Sequence, residues 1–475
     1  MFKMAHKKNV VLFITDGQRA DALGCYGNRI LRTPNIDAFA AQGVLFRQAF
    51  ASHSVCMPTR ASIFTGRYPH IHGVWANGVA LRKSELTLAE VLRRNGYATG
   101  AAGKLHFEPQ QAYSQQIAPV ISGQEPYYGF EEVHLSENYQ GQEYLDFIDR
   151  HFPELSQQAR RREPLPEEAH ELQWITDKAI EFIQRHTRAQ QPFFCCCSYH
   201  ELIPPCHPPL PFCGLYAPSD MPVPELRESD LATRPPFYRQ CYEGYVAKGL
   251  QPDEAAIRRT TAAYYDQAGF IDKQFGRLVA ALKEAEVWEN TIVVFTTDHG
   301  LALGDHYQWQ HGPFLFDQVI NVPLIWRAPA VTAPGNASAA LVEQVDIMPT
   351  IIDLCGLPPP AGMQGATLLP IIRQEAGAVG KESVLIQERQ APDLKLRGVD
   401  PQSVTQYGLR TKDWKLIHYP NCSYGELYDL RNDPGEFENR WADPGYSAQR
   451  HELEHRLRER LAGAADPLPD RHFDW

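Results

Sequence analysis

Asn9-Val10-Val11-Leu12-Phe13-Ile14-Thr15-Asp16-Gly17 is an apolar run that stops on a carboxylate and a glycine. An alternating run would mark a strand with one wet face; a continuous one, Val10 to Thr15, predicts a strand buried on both faces of a parallel sheet. The same form recurs along the chain. Tyr97 to Ala102 ends at Gly103-Lys104-Leu105-His106, and Phe193 to Tyr199 enters a Pro-rich loop from His200 to Pro209. Thr291 to Thr297 ends at Asp298-His299-Gly300, and Val322 to Trp326 is a further short strand. Helical patterns lie between: Pro34 to Gln42 closed by Gly43, a capping box at Thr87-Leu88-Ala89-Glu90 with its stop at Asn95-Gly96, Leu172 to Ile183, Asp253 to Ala285, and Asp346 to Cys355. Strand and helix in alternation predict an α/β fold, a large mostly parallel central sheet flanked by helices on both faces.

Two stretches break the rhythm. Residues 107–170 and 203–237 are polar, aromatic and Pro-rich, and read as excursions that shape the active face. After about Gln374 the texture changes to short strands at close spacing, 384–387, 407–411, 414–418 and 426–429, then a helix over about 448–461. The expected organisation is a catalytic unit over 1–374 and a small antiparallel sheet with a helix over 375–475. The end, from Ala465, reads as a tail or as a subunit contact of a homo-oligomer.

Composition bounds the partners. A formal charge of −11 argues against nucleic acid or an anionic membrane surface. It also means that an anionic substrate would need a locally positive pocket. The apolar run after Met1–Lys8 is too short to span a membrane and lacks a small-residue cleavage site. Ten cysteines, three of them adjacent at 195–197 and none in a Cys-x-x-Cys pair, fit reduced thiols and a cytoplasmic location. The sequons at Asn336 and Asn421 are then coincidental.

The chemistry gathers at strand ends. Asp16, Lys104 with His106, His207, and Asp298 with His299 each follow a predicted core strand, and open α/β sheets bind ligands at the carboxyl ends of their strands. Each residue alone has an ordinary structural explanation, an aspartate as a helix cap or a histidine in the core. Four coincident strand ends favour a site. Facing carboxylates at 16 and 298 require a cation or a shared proton. Oxygen donors favour calcium or magnesium, and a histidine ligand admits manganese. With Lys104, Arg60 and histidines around a tetrahedral anion, the residues point to metal-assisted hydrolysis of a sulfate or phosphate ester.

A further stretch, Ser54-Val55-Cys56-Met57-Pro58-Thr59-Arg60 followed by Thr65-Gly66-Arg67, puts a cysteine at a predicted helix start with Pro58 in the first turn. A thiol there faces the positive end of the helix dipole. It is either a reactive cysteine at an anion site, with Arg60 reaching the same anion or positioning the thiol, or a buried structural thiol.

Cys-x-Pro-x-Arg with the trailing Thr-Gly-Arg resembles the signature of the type I sulfatases, members of the alkaline phosphatase-like superfamily. The resemblance covers most of the chain. Asp16 and Asp298-His299-Gly300 match that family's metal residues, and Gly103-Lys104-Leu105-His106 its Gly-Lys-x-His element. His207-Pro208-Pro209 matches its His-x-Pro loop, and Gly425-Glu426-Leu427-Tyr428-Asp429-Leu430 with Asp433-Pro434-Gly435-Glu436 and Asn439 its C-terminal signature. The resemblance implies a sulfuric ester hydrolase with one divalent metal, calcium foremost, held by Asp16, residue 56, Asp298 and His299. It implies that a maturation enzyme oxidises Cys56 to formylglycine, whose hydrate attacks sulfur. His207, or in second place His311, would protonate the leaving alcohol, with His106 as base in the release of sulfate and Lys104 and Arg60 offsetting charge. Two departures stand out. Gly17 replaces a family ligand, so that Gln18, a backbone carbonyl or water must serve, or coordination is lower. His311 stands where the family has a lysine, which would make activity more dependent on pH. The other readings are a phosphonate monoester or phosphodiester hydrolase using the same group, a binding module with a degenerate site, and a phosphotransferase using Thr59 or Ser62.

Overall fold

The computed structural model describes residues 7–109, 125–137, 141–389 and 404–465. The large sheet has eight strands: β1 (Asn9–Thr15), β2 (Val44–Phe50), β3 (Ala98–Gly103), β4 (Glu132–Leu135), β5 (Phe193–Ser198), β6 (Thr291–Thr297), β7 (Asn321–Arg327) and β8 (Asn336–Glu343). Their order is β4-β3-β5-β1-β6-β7-β2-β8. From β4 to β6 every pairing is parallel; β7 runs antiparallel to both β6 and β2, and β8 pairs parallel to β2. The strands with continuous apolar runs, β1, β5 and β6, hold the middle of the sheet and are buried throughout.

Alternation along β1 divides the core into two layers. Val11 and Phe13 point into one, with Cys195, Cys197, Ile175, Phe182, Phe275 and Leu278. Val10, Leu12 and Ile14 point into the other, with Met57, Ala61, Phe64, Leu92 and Ile351. The first layer is covered by α1 (Pro34–Ala40) and two long helices, and the second by the Cys56 helix α2 (Cys56–Thr65), α3 (Leu88–Arg94) and a later short helix. The long helices are α4 (Glu171–Arg188) and α5 (Glu254–Glu284), and the short one is α6 (Ile347–Leu354). Local signals set the helix starts: Thr87 Oγ1 accepts the Glu90 N–H at 3.1 Å ahead of α3, and Asp253 accepts the Ala256 N–H at 2.8 Å ahead of α5. None of the ten cysteines, all among the described residues, forms a disulfide.

The stretch expected to be an excursion at 107–170 also supplies the sheet's edge strand β4 and a helix at Gln142–His151, whose Tyr144 and Ile148 join the first core layer. The second stretch ends by packing Leu231 and Phe237 against Phe314 and Ile386.

The C-terminal sheet is antiparallel, β9 (Ser383–Arg389), β10 (Thr405–Thr411), β11 (Trp414–His418) and β12 (Gly425–Asp429), in the order β12-β11-β10-β9. Helix α7 (Ser447–Gly463) closes it through Leu453 and Leu457. The C-terminal motif does structural work here. A Cβ at Gly425 would lie 2.4 Å from the Trp441 ring. Asn439 accepts the Leu427 N–H at 3.0 Å and donates to the Thr233 carbonyl at 3.0 Å. Buried Glu426 accepts from Tyr238, Tyr428 and Arg234, and Arg234 also bonds Asp230 at 2.6 Å and His306 at 2.9 Å. This network ties the 203–237 stretch and the loop after β6 to the small sheet. Arg234→Ala would leave Asp230 and Glu426 buried beside no guanidinium, and should cost about 3–5 kcal/mol of stability. An unchanged thermal midpoint would refute that.

Candidate active site

The four strand ends meet. In the sheet, β3, β5, β1 and β6 are consecutive neighbours, so Lys104, Ser198, Asp16 and Asp298 emerge side by side at one rim. Helix α2 brings Cys56 to them. Val55 is its extended N-cap, Cys56 its first residue, and every residue of the helix is buried. Pro58 falls in the first turn, as expected. Thr59 Oγ1 bonds the His53 and Val55 carbonyls, and Ser62 Oγ pairs with Ser52 and His72. The two hydroxyls of the phosphotransferase reading are thus engaged in holding the helix.

Arg60, one turn on from Cys56, laces the rim together. Its Nε donates to Asp298 Oδ2 at 2.8 Å, one terminal nitrogen to the Lys104 carbonyl and Ser198 Oγ, both at 2.7 Å, and the other to the Tyr199 carbonyl at 3.2 Å. Asp16 Oδ2 lies 3.6 Å away. One guanidinium therefore touches the ends of four strands.

Each carboxylate is divided. Asp16 Oδ2 accepts from Lys104 Nζ at 2.6 Å, while its Oδ1 faces His299 Nε2 at 3.5 Å and Cys56 Sγ at 3.9 Å. Asp298 gives Oδ2 to Arg60 and keeps Oδ1 toward His299 Nε2, 3.7 Å away. Cys56 Sγ is 3.2 Å from His299 Nε2. Asp16, Cys56, Asp298 and His299 thus present one donor atom each within 4.8 Å of one another, and His311 forms a second such group with Cys56 and His299. Two carboxylate oxygens and an imidazole nitrogen fit a hard divalent cation.

The electrostatics agree with this division. Burial would raise the Asp16 pKa, but Lys104, His299 and Arg60 override it and hold the carboxylate well below its usual range. Burial, then Asp16, pushes the Cys56 thiol well above its ordinary value. Among the protein groups alone, desolvation outweighs the expected dipole activation of the thiol. Burial, then Lys104 and Arg60, holds His106 well below its usual value, in the neutral form.

The departure at Gly17 has a local cause. Its φ of +74° makes the turn out of β1, and a side chain there would be directed at Ile203 and Leu301. The Gln18 side-chain amide nitrogen donates to the Arg19 and Ala22 carbonyls. The Gly17 carbonyl accepts from the Tyr264 hydroxyl at 2.9 Å.

His311 enters the site, its ring 4.1 Å from that of His299. His106 lies beyond β3 with φ +56°, and its Nδ1 has no hydrogen-bond partner among the described residues. The first histidine after β5 is His200, two residues beyond its end; His207 sits farther along the loop, half-buried, in a cavity of about 40 Å³ that it shares with Arg162, His170, Glu171, His200 and Glu201. His200 is buried, and Lys104 and Asp16 are the first charges that act on it. Sequence reasoning passed over it, although strand-end position, the rule that found the other residues, points to it. Glu137, at the end of β4, was also missed: it accepts the His106 and Leu105 N–H groups at 2.8 and 3.3 Å, and burial raises its pKa to about 7.

The family model described as Sulfatase matches residues 8–357. The chain belongs to the sulfatase family. A second model, N-sulphoglucosamine sulphohydrolase, C-terminal, matches residues 304–463. Among similar sulfatases, N-acetylglucosamine-6-O-sulfatase of Bacteroides thetaiotaomicron is 26% identical, over 98% of this chain and 88% of that protein. Human iduronate 2-sulfatase is 28% identical, over 92% and 91%. Among solved structures, the phosphonate monoester hydrolase SpPMH from Silicibacter pomeroyi superposes with a TM-score of 0.85 at 25% identity, covering 97% of this chain and 96% of that one. The sulfatase family implies a metal ion and a formylglycine in general, and the donor group around Cys56 is where this chain can hold both.

Proposed function

We propose that this protein hydrolyses an organic sulfate monoester, of an aryl or sugar alcohol, to the alcohol and sulfate. The observation that carries the reading is the convergence of Asp16, Lys104, Asp298, His299 and His311 around Cys56, in a chain of the sulfatase family. Asp16, Asp298 and His299, with residue 56, would hold one divalent cation, calcium foremost and magnesium or manganese next. That ion would acidify a hydroxyl and offset charge on the transferring group.

A formylglycine made from Cys56 by a maturation enzyme would supply, as its hydrate, one hydroxyl to attack sulfur and a second to expel sulfate. Lys104 brings its ammonium to the sulfate oxygens, and Arg60 fixes Asp298 and the Lys104 backbone. His207, from the loop after β5, or in second place His311, would protonate the leaving oxygen. His106, neutral and buried, is the base for sulfate release. Asp16 and Asp298 are offset by Lys104 and Arg60, so a divalent cation would leave the pocket positive, which answers the repulsion of a chain at −11. Ten cysteines without a disulfide support a reducing, cytoplasmic setting.

A phosphonate monoester or phosphodiester hydrolase is the second reading, favoured by the likeness to the Silicibacter enzyme. Lys104 and His106 favour the sulfate monoester, because a lysine and a neutral histidine at one strand end suit its compact face of three terminal oxygens, where a phosphonate monoester or phosphodiester presents two. The test pairs two measurements on protein produced with a maturation enzyme. The tryptic peptide containing Cys56 should carry the aldehyde mass. Aryl and sugar sulfates should be turned over well above phosphonate monoesters and phosphodiesters, with activity lost on chelation and restored by calcium. A wide preference for the phosphorus esters would overturn the first reading.

A further inference from the structure

The small C-terminal sheet meets the reaction centre with one face. Glu388 of β9 and Gln406 of β10 stand directly opposite each other, so their side chains share that face. Both are buried, at 1% and 0% exposure. The reaction as derived above uses neither, yet each ends on a segment that carries a reacting group. The Glu388 carboxylate accepts from Ser54 Oγ, two residues before Cys56, and lies 3.2 Å from His53 Nδ1. Gln406 Nε2 donates at 2.6 Å to the carbonyl of Pro313, two residues after His311, and its Oε1 accepts from the Tyr419 hydroxyl at 3.1 Å.

The two segments also touch each other. A Cβ at Gly312 would lie 2.3 Å from the Val55 side chain, 2.9 Å from Ser54 Oγ and 3.7 Å from Glu388 Oε2. The turn before Cys56 and the loop with His311 therefore lie flush, with the Glu388 carboxylate at their junction. Val55 is the extended cap of α2, and its N–H donates to His53 Nδ1 at 3.2 Å. His53 Nε2 faces the Trp75 carbonyl at 3.2 Å, so it bears the ring proton and leaves Nδ1 to accept. Among the described residues, the Ser54 hydroxyl has Glu388 as its one hydrogen-bond partner. Loss of that carboxylate would leave the hydroxyl buried and unmatched, and the turn could recover the cost only by shifting. Residue 56 follows directly. A shift there moves the reacting side chain against Asp16, Asp298 and His299, where about 1 Å can cost about 10²-fold in rate.

We propose that Glu388 is a positioning residue for this reaction: through Ser54 it sets the turn that carries residue 56, and with Gln406 it holds that turn against the His311 loop. The inference rests on the sulfatase reading above and adds the small sheet to the parts which that reading needs.

The test expresses the activity of each matured variant per mole of aldehyde, so that altered maturation does not enter. Glu388→Ala should lower kcat for 4-nitrophenyl sulfate about thirtyfold or more, with KM within about twofold of wild type. Glu388→Gln keeps an oxygen to accept from Ser54 and should stay within about threefold of wild type. Ser54→Ala removes the other half of the bond and should match Glu388→Ala. The double variant should then be no worse than the poorer single one, as for two groups that act through one contact. An unchanged kcat in Ser54→Ala, a rise in KM alone, additive losses, or a Glu388→Gln as poor as Glu388→Ala would overturn the proposal. If Glu388→Ala failed to fold, Ser54→Ala, which deletes only a hydroxyl, would decide.

A second readout needs no turnover. Cys56 is the one cysteine between Arg47 and Arg60, and Cys25 the one between Arg19 and Arg29, so tryptic peptides report each separately. In the folded, unconverted protein, alkylation of Cys56 by iodoacetamide relative to Cys25 should be about tenfold faster or more in Glu388→Ala and Ser54→Ala than in wild type and Glu388→Gln, because a loosened turn opens locally. Equal rates in all four proteins would overturn the positioning role. If the matured wild type hydrolysed no sulfate, the sulfatase reading would fail, and these rates would still decide whether Glu388 holds the turn.

Discussion

Cys56→Ala is expected to abolish sulfate ester turnover, by about 10⁴-fold or more, as when a covalent nucleophile is removed from a site whose parts act as a unit. The chain should still fold. Cys56 sits at the first position of α2, where alanine is sterically acceptable, and the helix is held by Thr59, Ser62 and the Met57 N–H bonded to Asn77 at 2.9 Å. The sulfur's neighbours, His299 at 3.2 Å and Asp16 at 3.9 Å, have other partners: His299 bonds its own loop, and Asp16 pairs with Lys104. Unfolding midpoints of wild type and variant should therefore agree closely. Cys56→Ser sharpens the experiment. A serine hydroxyl could attack sulfur once but has no second hydroxyl with which to expel sulfate, so it should yield at most a single turnover. Sustained turnover by either variant would remove residue 56 as the nucleophile and leave the metal group to activate water directly.

How much of this was legible depended on what each residue had to do locally. β1, β5 and β6 announced themselves because a strand buried on both faces can carry little but apolar side chains, and the residue after each was then marked. β2 was hidden by Arg47 and Gln48 in its middle. β8, Asn336 to Glu343, is an edge strand of alanine and serine whose first residues are partly exposed, so burial left no imprint on it. β4 is four residues long in an otherwise polar stretch. His200 belongs to no motif, whereas the His-x-Pro match falls on His207 farther down the same loop. The least legible feature was the role of Arg60. A sequence gives its charge and its place one turn after Cys56, but the partners of a guanidinium at a sheet rim are set by strand order. β3, β5, β1 and β6 are adjacent in space and widely separated in the chain.

That role leads to the second large effect. Arg60→Ala should lower both stability and activity, because it removes the counter-charge of Asp298, weakens that of Asp16, and unties the Lys104, Ser198 and Tyr199 ends at once. Removing one partner of a buried ion pair costs about 3–5 kcal/mol, since the other charge stays buried without compensation. Activity should fall by about 10² or more, because Asp298 and Lys104 would no longer be held in register with residue 56. Arg60→Lys separates charge from geometry. Lysine keeps the positive charge, but its ammonium cannot reproduce a planar fork that donates in three directions to four groups. It should therefore regain much of the stability lost in Arg60→Ala, read from urea midpoints, while activity stays low. If lysine restored activity to within about threefold of wild type, the strand ends would be placed by the sheet alone. Arg60 would then act through its charge. The fork geometry argues otherwise: with Nε on Asp298 after β6, one terminal nitrogen on Lys104 after β3 and on Ser198 of β5, and the other on Tyr199, every direction in which this guanidinium can donate is fixed by a strand end.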